Sequence, residues 1–332
     1  MRHDYRGQRM TLRLTVHRAA WMAHVRDVAD AYGPGLVPVV KGNGYGFGRP
    51  ALQEVAGAMG RRVGVGTVHE LGDVPQGIEA VVLTPTLHPP EGHPDAVLTV
   101  GSIDHVRALA GWRGRVTVKL ASSMRRYGTT PADLPTLLGE VADAGLEVDS
   151  FSLHLPLAGE DHDRIGEVEQ WLHHLTQWPE LPLSVSQLAP ESFHSLREKN
   201  PGRELRIRVG TALWLGRPRG GFFHLGADVV QARPVCAGEP VGYRHTPAPH
   251  DGTLLCIGAG STHGVRLLDH IDPQRRSPFH FARQRLALLE PPHMHTTMCI
   301  VPTGQPCPEP GEIVDVQQPF TGVIPDELEW RP

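Results

Sequence analysis

Leu36-Val37-Pro38-Val39-Val40-Lys41-Gly42-Asn43-Gly44-Tyr45-Gly46-Phe47-Gly48 decides how this chain is read. An apolar, β-branched run ends on a lysine, and a glycine-rich turn follows it. Such a run reads as a buried strand, and the glycines as a turn that needs backbone freedom. A lysine at that junction is one of only three in the chain, Lys41, Lys119 and Lys199. An amine at a strand end can be desolvated and its pKa lowered. It then suits Schiff-base chemistry, as nucleophile or as base.

Outward from this stretch the chain alternates between two periods. Short apolar runs recur at 36–41, 63–67, 80–84, 98–102, 116–121, 150–155, 183–188 and 205–210. Helical stretches lie between most of them, at 50–59, 68–74, 103–110, 131–144, 163–177 and 190–197, and a further helix at 18–31 precedes the first run. Leu87-His88-Pro89-Pro90 joins the third and fourth runs as a loop. Eight strands with mostly helical crossovers form the pattern of a (β/α)8 TIM-type barrel. After Gly216 the texture changes. Arg217-Pro218-Arg219-Gly220-Gly221 reads as a linker, and short strands separated by Gly, Pro and Asp follow at 227–232, 240–243, 253–257, 298–301 and 312–316. The expected organisation is an α/β barrel over 12–216, a linker over 217–226 and a mostly β C-terminal domain over 227–332. Residues 1–11 are a candidate for packing with that β domain.

Composition narrows the function. The chain has 332 residues, enough for one large core or two domains, with 40% hydrophobic and 20% charged residues. Net charge is −4 with His neutral, so no basic field is available for nucleic acid or an anionic membrane. No apolar run is long enough to span a bilayer. The basic start, Met1 to Arg6, has no apolar stretch behind it and does not read as a signal peptide. Cys236, Cys256, Cys299 and Cys307 match neither a zinc ribbon nor a CxxC redox motif. They read as reduced residues of a cytoplasmic protein.

In a barrel of this type the chemistry sits where strands end. Lys41 ends the first strand, Lys119 lies in the fifth, His154 lies near the end of the sixth and Arg208 ends the eighth. The stretch Pro38 to Gly48 resembles the pyridoxal-phosphate lysine motif of the alanine racemase family, fold type III. The resemblance continues in Val118-Lys119 through Met124-Arg125-Arg126-Tyr127-Gly128, which is similar to a family segment with a lysine followed by Met-x-Arg-x-Gly. Here Ser122-Ser123 stands where the family usually has Thr-Gly. Arg206-Ile207-Arg208-Val209-Gly210-Thr211 looks like the start of the family's Arg-Pro-Gly segment.

That likeness implies roles. Lys41 would hold pyridoxal 5'-phosphate covalently and act as one base. Tyr45 and the N–H groups at Gly210 and Thr211 would hold the phosphate, with Ser184, Ser186 and Ser192 as candidates for a further hydroxyl. Arg126 would sit near the cofactor's phenolic oxygen and the substrate carboxylate, and Lys119 would take the place of a lysine often carbamylated. His154 would bond to Arg208, and Arg208 would contact the pyridine nitrogen. The implied activity is an isomerase acting on a small amino acid, in a homodimer whose β domains close the partner's barrel mouth.

One part of the pattern fails. The family's second base is a tyrosine in a Gly-Tyr-Ala-Asp-Gly stretch of the β domain. Here Gly258-Ala259-Gly260-Ser261-Thr262-His263-Gly264 puts Ser261 at the tyrosine position, or Ala259 in another register. Ser261 is far too weak an acid to replace a phenol, and His263 is the fallback. The usual family ending is also absent from Pro325-Asp326-Glu327-Leu328-Glu329-Trp330. Racemase activity is therefore expected to be weak or lost. The alternatives are a lyase, dehydratase or aldolase with another second base or a metal, and a catalytically silent cofactor-binding homologue. His293-x-His295 alternates onto one face and raises the metal possibility, since related D-serine dehydratases and D-threonine aldolases hold a metal in this domain. The other reading of that pair is a proline-restrained loop, and no metal is expected here.

Overall fold

The structure, a computed structural model, describes residues 11–216, 221–268 and 276–332. It divides into two compact units. One gathers Ala23–Gly44 and Arg49 to the end of the barrel; the other gathers Thr11–Met22, Tyr45–Gly48 and the described residues beyond 220.

The first unit is the barrel. Its strands are β2 (Leu36–Pro38), β3 (Arg62–Val65), β4 (Glu79–Val82), β5 (Val97–Val100), β6 (Arg115–Leu120), β7 (Glu147–Leu153), β8 (Leu183–Ser186) and β9 (Leu205–Val209). They pair in the order β2-β9-β8-β7-β6-β5-β4-β3, all parallel. A parallel bridge between Val39 and Gly64, with Val40 N–H donating to Gly64 O at 2.8 Å, joins the two ends. The strands are short and rich in valine because both faces are covered. Val97, Leu98, Val116, Val118, Phe151, Leu183 and Val185 are all fully buried.

Helices α2 (Arg49–Met59), α3 (Ile103–Ala108), α4 (Leu134–Asp143), α5 (Asp161–His174) and α6 (Pro190–Lys199) carry crossovers, while α1 (Arg18–Tyr32) precedes β2 and α7 (Thr211–Leu215) follows β9. Their starts follow local rules. Glu160 and Asp163 form a capping box at α5, and Pro190 opens α6, where its missing N–H costs nothing. The stretch 68–74 is a 3-10 helix over Val68–Asp73.

The opposite end of the barrel is held by charge. Asp149 accepts from Arg62 at 2.8 and 2.9 Å and pairs with Arg115 at 3.3 Å and Arg206 at 3.6 Å. Glu79 joins through Arg62 and Arg115.

In the second unit the long strand β10 (Phe223–Val235) is central. It pairs antiparallel with β1 (Leu12–His17), with Gly252–Ile257 and with Ile313–Val316. Glu327–Arg331 adds to β1 in parallel. Trp21, Phe47, Phe223, Phe320 and Trp330 pack as an aromatic cluster with centroids 5.0–5.6 Å apart along its chain of contacts.

The expected boundaries shift accordingly. Residues 12–17, read as the start of the barrel, form a strand of the β sheet, because β1 finds its backbone partners on β10 and Glu327–Arg331. Residues 223–226 of the expected linker are already strand, and 217–220 lie outside the described residues. Of residues 1–11, Thr11 donates its N–H to Asp228 of the β sheet at 2.9 Å, and the others lie outside the described residues. Among the described residues no helix is long and apolar enough to cross a membrane.

Candidate active site

The two-residue period of a strand sets which side chains share a face. On β7 and just beyond it this groups Ser150, Ser152 and His154; on β8, Ser184 and Ser186; on β6, Thr117 and Lys119; on β9, Arg206 and Arg208. Of these, Thr117, Lys119, Ser150, Ser152, Ser184, Ser186 and Arg208 are buried.

Arg208 is the centre of it. Its Nη1 donates to Ser152 Oγ at 2.5 Å, Ser184 O at 3.0 Å and Ser184 Oγ at 3.0 Å, and its Nη2 donates to Leu153 O at 2.8 Å. Every acceptor is neutral. Burial without a carboxylate pulls the guanidinium pKa down to about 10. Lys119 is 5% exposed, with Nζ 3.5 Å from Ser152 Oγ. Burial, and then the charges of Arg208 and Arg126, hold its pKa well below the usual lysine range. His154 shares a hydrogen bond between Nδ1 and Ser186 Oγ at 2.7 Å. Burial first, then the surrounding cations Arg208, Lys119, Arg126 and Lys41, push its pKa down to about 3. The imidazole is therefore neutral at physiological pH.

Lys41 follows β2 at the strand-end side of the barrel. It reaches solvent, yet lost hydration is still the largest cause lowering its pKa; Arg126 and Arg208 lower it further and Glu70 opposes them. Its turn is built by groups the sequence reading did not pick out. Glu70 Oε1 accepts from Gly42 N–H at 3.0 Å and Oε2 from Gly66 N–H at 2.7 Å. One buried carboxylate thus ties the ends of β2 and β3 together. Glycine at 66 lets these groups approach, because a Cβ there would lie 2.9 Å from Glu70 Oε1 and 3.1 Å from Lys41 Cβ. Arg49 donates to Gly42 O at 2.6 Å and pairs with Asp73 at 2.5 Å. Gly44, at φ 64°, leaves room only for hydrogen, since a Cβ would meet Arg49 N at 2.5 Å. No periodic signal marks Glu70. Its cue is a carboxylate four residues after a strand-ending glycine.

Arg126 lies on the exposed loop after β6, its guanidinium carbon 4.8 Å from the Tyr127 ring centre. Gly210 and Thr211 stand at the end of β9, where α7 begins, and line a cavity of about 550 Å³ with Gln187, Tyr32 and Arg208. The three serines offered for a phosphate hydroxyl are all engaged: Ser184 with Arg208, Ser186 with His154, Ser192 with Asp161.

The remaining predicted residues belong to the β unit. Tyr45 is buried at φ 56°, and the adjoining Phe47 is part of the aromatic cluster. Ser261 is exposed, and its N–H donates to His293 O at 2.8 Å. His263 does not suit the base role expected of it. It is 5% exposed; Nδ1 accepts from Gly260 N–H at 3.0 Å and Nε2 pairs with Asp326 at 3.0 Å. With both ring nitrogens engaged, it fastens its own turn. His293 Nε2 bonds the buried Glu290 carboxylate at 3.0 Å, and the rings of His263 and His295 are 6.0 Å apart. Among the described residues no three His, Cys, Asp or Glu side chains are grouped to hold a metal.

Known proteins resemble this chain. The family pattern described as "Alanine racemase, N-terminal domain" matches residues 16–218. The chain belongs to the alanine racemase family. The alanine racemase of Mycobacterium tuberculosis is 29% identical over 260 residues, covering 69% of this chain and 67% of that protein. The alanine racemase of Cereibacter sphaeroides is 28% identical over 281 residues, covering 77% and 75%. The solved alanine racemase of Bartonella henselae, with covalently bound pyridoxal phosphate, superposes with a TM-score of 0.69 at 19% identity, over 94% of this chain and 92% of that one. Within the alanine racemase family this chain therefore has the barrel and the β domain expected of it, with Ser261 on the loop where the resemblance puts a tyrosine.

Proposed function

We propose that this chain binds pyridoxal 5'-phosphate at Lys41 and acts on a small amino acid as an isomerase-class enzyme with weak or lost racemase activity. One observation carries the reading. Four cations, Lys41, Lys119, Arg126 and Arg208, surround a neutral His154, and Glu70 is the one carboxylate among the charges acting on Lys41. Like charges held close together disfavour one another, and an anionic group relieves them. The residues therefore fit a phosphate ester with a phenolic oxygen.

The depressed pKa leaves a larger fraction of Lys41 as free amine, the form that bonds a carbonyl and accepts a proton. When bound, the cofactor withdraws electrons from the α-carbon of an attached amino acid. Arg208 donates hydrogen bonds only, so it would keep a ring nitrogen beside it unprotonated and make the cofactor a weaker electron sink. Arg126 would orient the substrate carboxylate. Gly210, Thr211 and Tyr45 are proposed to hold the phosphate. Lys119, whose pKa is lowered by burial and by the charges of Arg208 and Arg126, suits carbamylation, which would place an anion near Arg126.

The proposed assembly is a cytoplasmic homodimer in which the β domain of one copy closes the barrel mouth of the other. A second reading, cofactor binding with turnover changed or lost, is favoured by the serine at position 261 and by the engagement of both His263 nitrogens. Incubation of the loaded protein with alanine in deuterated solvent separates the two. α-Proton exchange supports live chemistry. A visible absorption band without exchange supports the second reading, and absence of the band contradicts both.

A further inference from the structure

The loop after β6 carries Arg126, and side chains of α5 fix its shape. Glu167 Oε1 accepts from Ser123 N–H at 2.7 Å and Oε2 accepts from Ser123 Oγ–H at 2.8 Å. One turn further along α5, Trp171 Nε1–H donates to Ala121 O at 2.8 Å. Positions 167 and 171 share a helix face, so both bonds pull on the same segment. The far end of the loop is closed by the strand-like pairing of Leu120 with Thr129, where Thr129 N–H donates to Lys119 O at 2.9 Å. Between these fixed points Arg125 N–H donates to Ser122 O at 2.9 Å, and Arg125 takes φ 52°, a left-handed value that a side chain adopts only under constraint.

The loop is thus pinned on both sides of Arg126, while no described carboxylate pairs with the Arg126 guanidinium. Ser123 stands where the resemblance to relatives expects glycine. A glycine there would keep the amide bond and lose the hydroxyl bond to Glu167.

We propose that Glu167 is the positioning residue for Arg126, holding the β6 loop so that the guanidinium presents a fixed donor pair to a carboxylate ligand. The proposal rests on the reading of Arg126 as the carboxylate anchor, and it makes a statement about selectivity. Glu167 supports recognition of amines that bear a carboxylate and does nothing for amines that lack one. Charge-assisted bonds to an aligned guanidinium are directional, so a loop free to wander loses them first.

Glu167→Ala, Glu167→Gln and Ser123→Gly are compared with the parent, all loaded with pyridoxal phosphate. Alanine and ethylamine serve as probes, and binding is read from the change in the visible band. Glu167→Ala should weaken alanine by about tenfold and leave ethylamine unchanged. Glu167→Gln, which keeps one acceptor, and Ser123→Gly, which keeps one tether, should fall between. Hydrogen exchange at the Ser123 amide, measured without cofactor, should accelerate in Glu167→Ala. Equal weakening of both probes, unchanged alanine binding, or unchanged Ser123 exchange would each overturn the proposal. A parent that takes up no cofactor contradicts the functional reading alone. In that case acetate titration, followed by the NMR signal of the Arg126 guanidinium, tests the positioning directly: weaker acetate binding in Glu167→Ala supports it, and equal binding refutes it.

Discussion

Glu70 Oε1 lies 3.0 Å from the amide nitrogen of Gly42, the residue that follows Lys41. The same carboxylate that shapes the lysine turn is also the charge that opposes burial and the arginines in setting the Lys41 pKa. Removing that charge while keeping the shape should lower the Lys41 pKa further. Glu70→Gln tests this. Carbon-13 methylation labels only three lysine side chains, so NMR titration resolves Lys41. A Glu70→Gln midpoint equal to or above the parent's would show that the carboxylate does not act on the amine.

His154 should make the fold acid-sensitive. Its pKa falls from 6.5 to about 3 on folding, so between those values the unfolded chain binds the extra proton. Stability then rises with pH across that window and is lost as pH falls below the unfolded value. His154→Asn should flatten this slope. Urea denaturation at pH ~5 and pH ~7 reads the effect, as a smaller stability difference between the two conditions in the variant than in the parent.

Asp149 should matter to stability and not to cofactor chemistry. Burial pushes its carboxyl up, but the hydrogen bond and charge of Arg62 and the charge of Arg206 more than offset that, leaving its pKa below the usual range. Its contribution is present above the ordinary carboxylate pKa and fades as pH falls through the folded value. Asp149→Asn should cost about 3–5 kcal/mol, because it strands partly buried arginines. Denaturant midpoints that match the parent's would contradict this.

Much of this architecture was legible in the chain, for identifiable reasons. The eight barrel strands announce themselves as short apolar runs, several of them rich in buried valine, as at Val116 and Val118. Lys41, Lys119, His154 and Arg208 follow from strand-end position. The place of Leu12–His17 is not legible, because its sequence is compatible with any sheet and its partners lie over 200 residues away on β10 and over 300 away at the C-terminus. Glu70 and Glu167 left no pattern, since a carboxylate that accepts from backbone N–H groups looks like any solvated helix residue. His263 is the titratable side chain on the Ser261 turn, and its bonds to Gly260 and Asp326 are visible only in the fold.

Position 261 should govern racemisation. Ser261 is exposed, and its turn is held by backbone bonds to His293 and Met294, so a larger side chain is tolerated there. Ser261→Tyr should raise alanine racemisation by about 10²-fold or more over a nearly silent parent. His263→Ala should lower the melting temperature and leave the basal rate unchanged. Racemisation by the parent at the speed of an efficient enzyme would refute the lost-base account.

The central claim is that Lys41 carries pyridoxal phosphate. The most direct measurement is borohydride reduction of the loaded protein, followed by peptide mapping. The account predicts one pyridoxyl adduct, on the peptide containing Lys41 and Gly42. An adduct on Lys119 or Lys199 instead, or none at all, would contradict it.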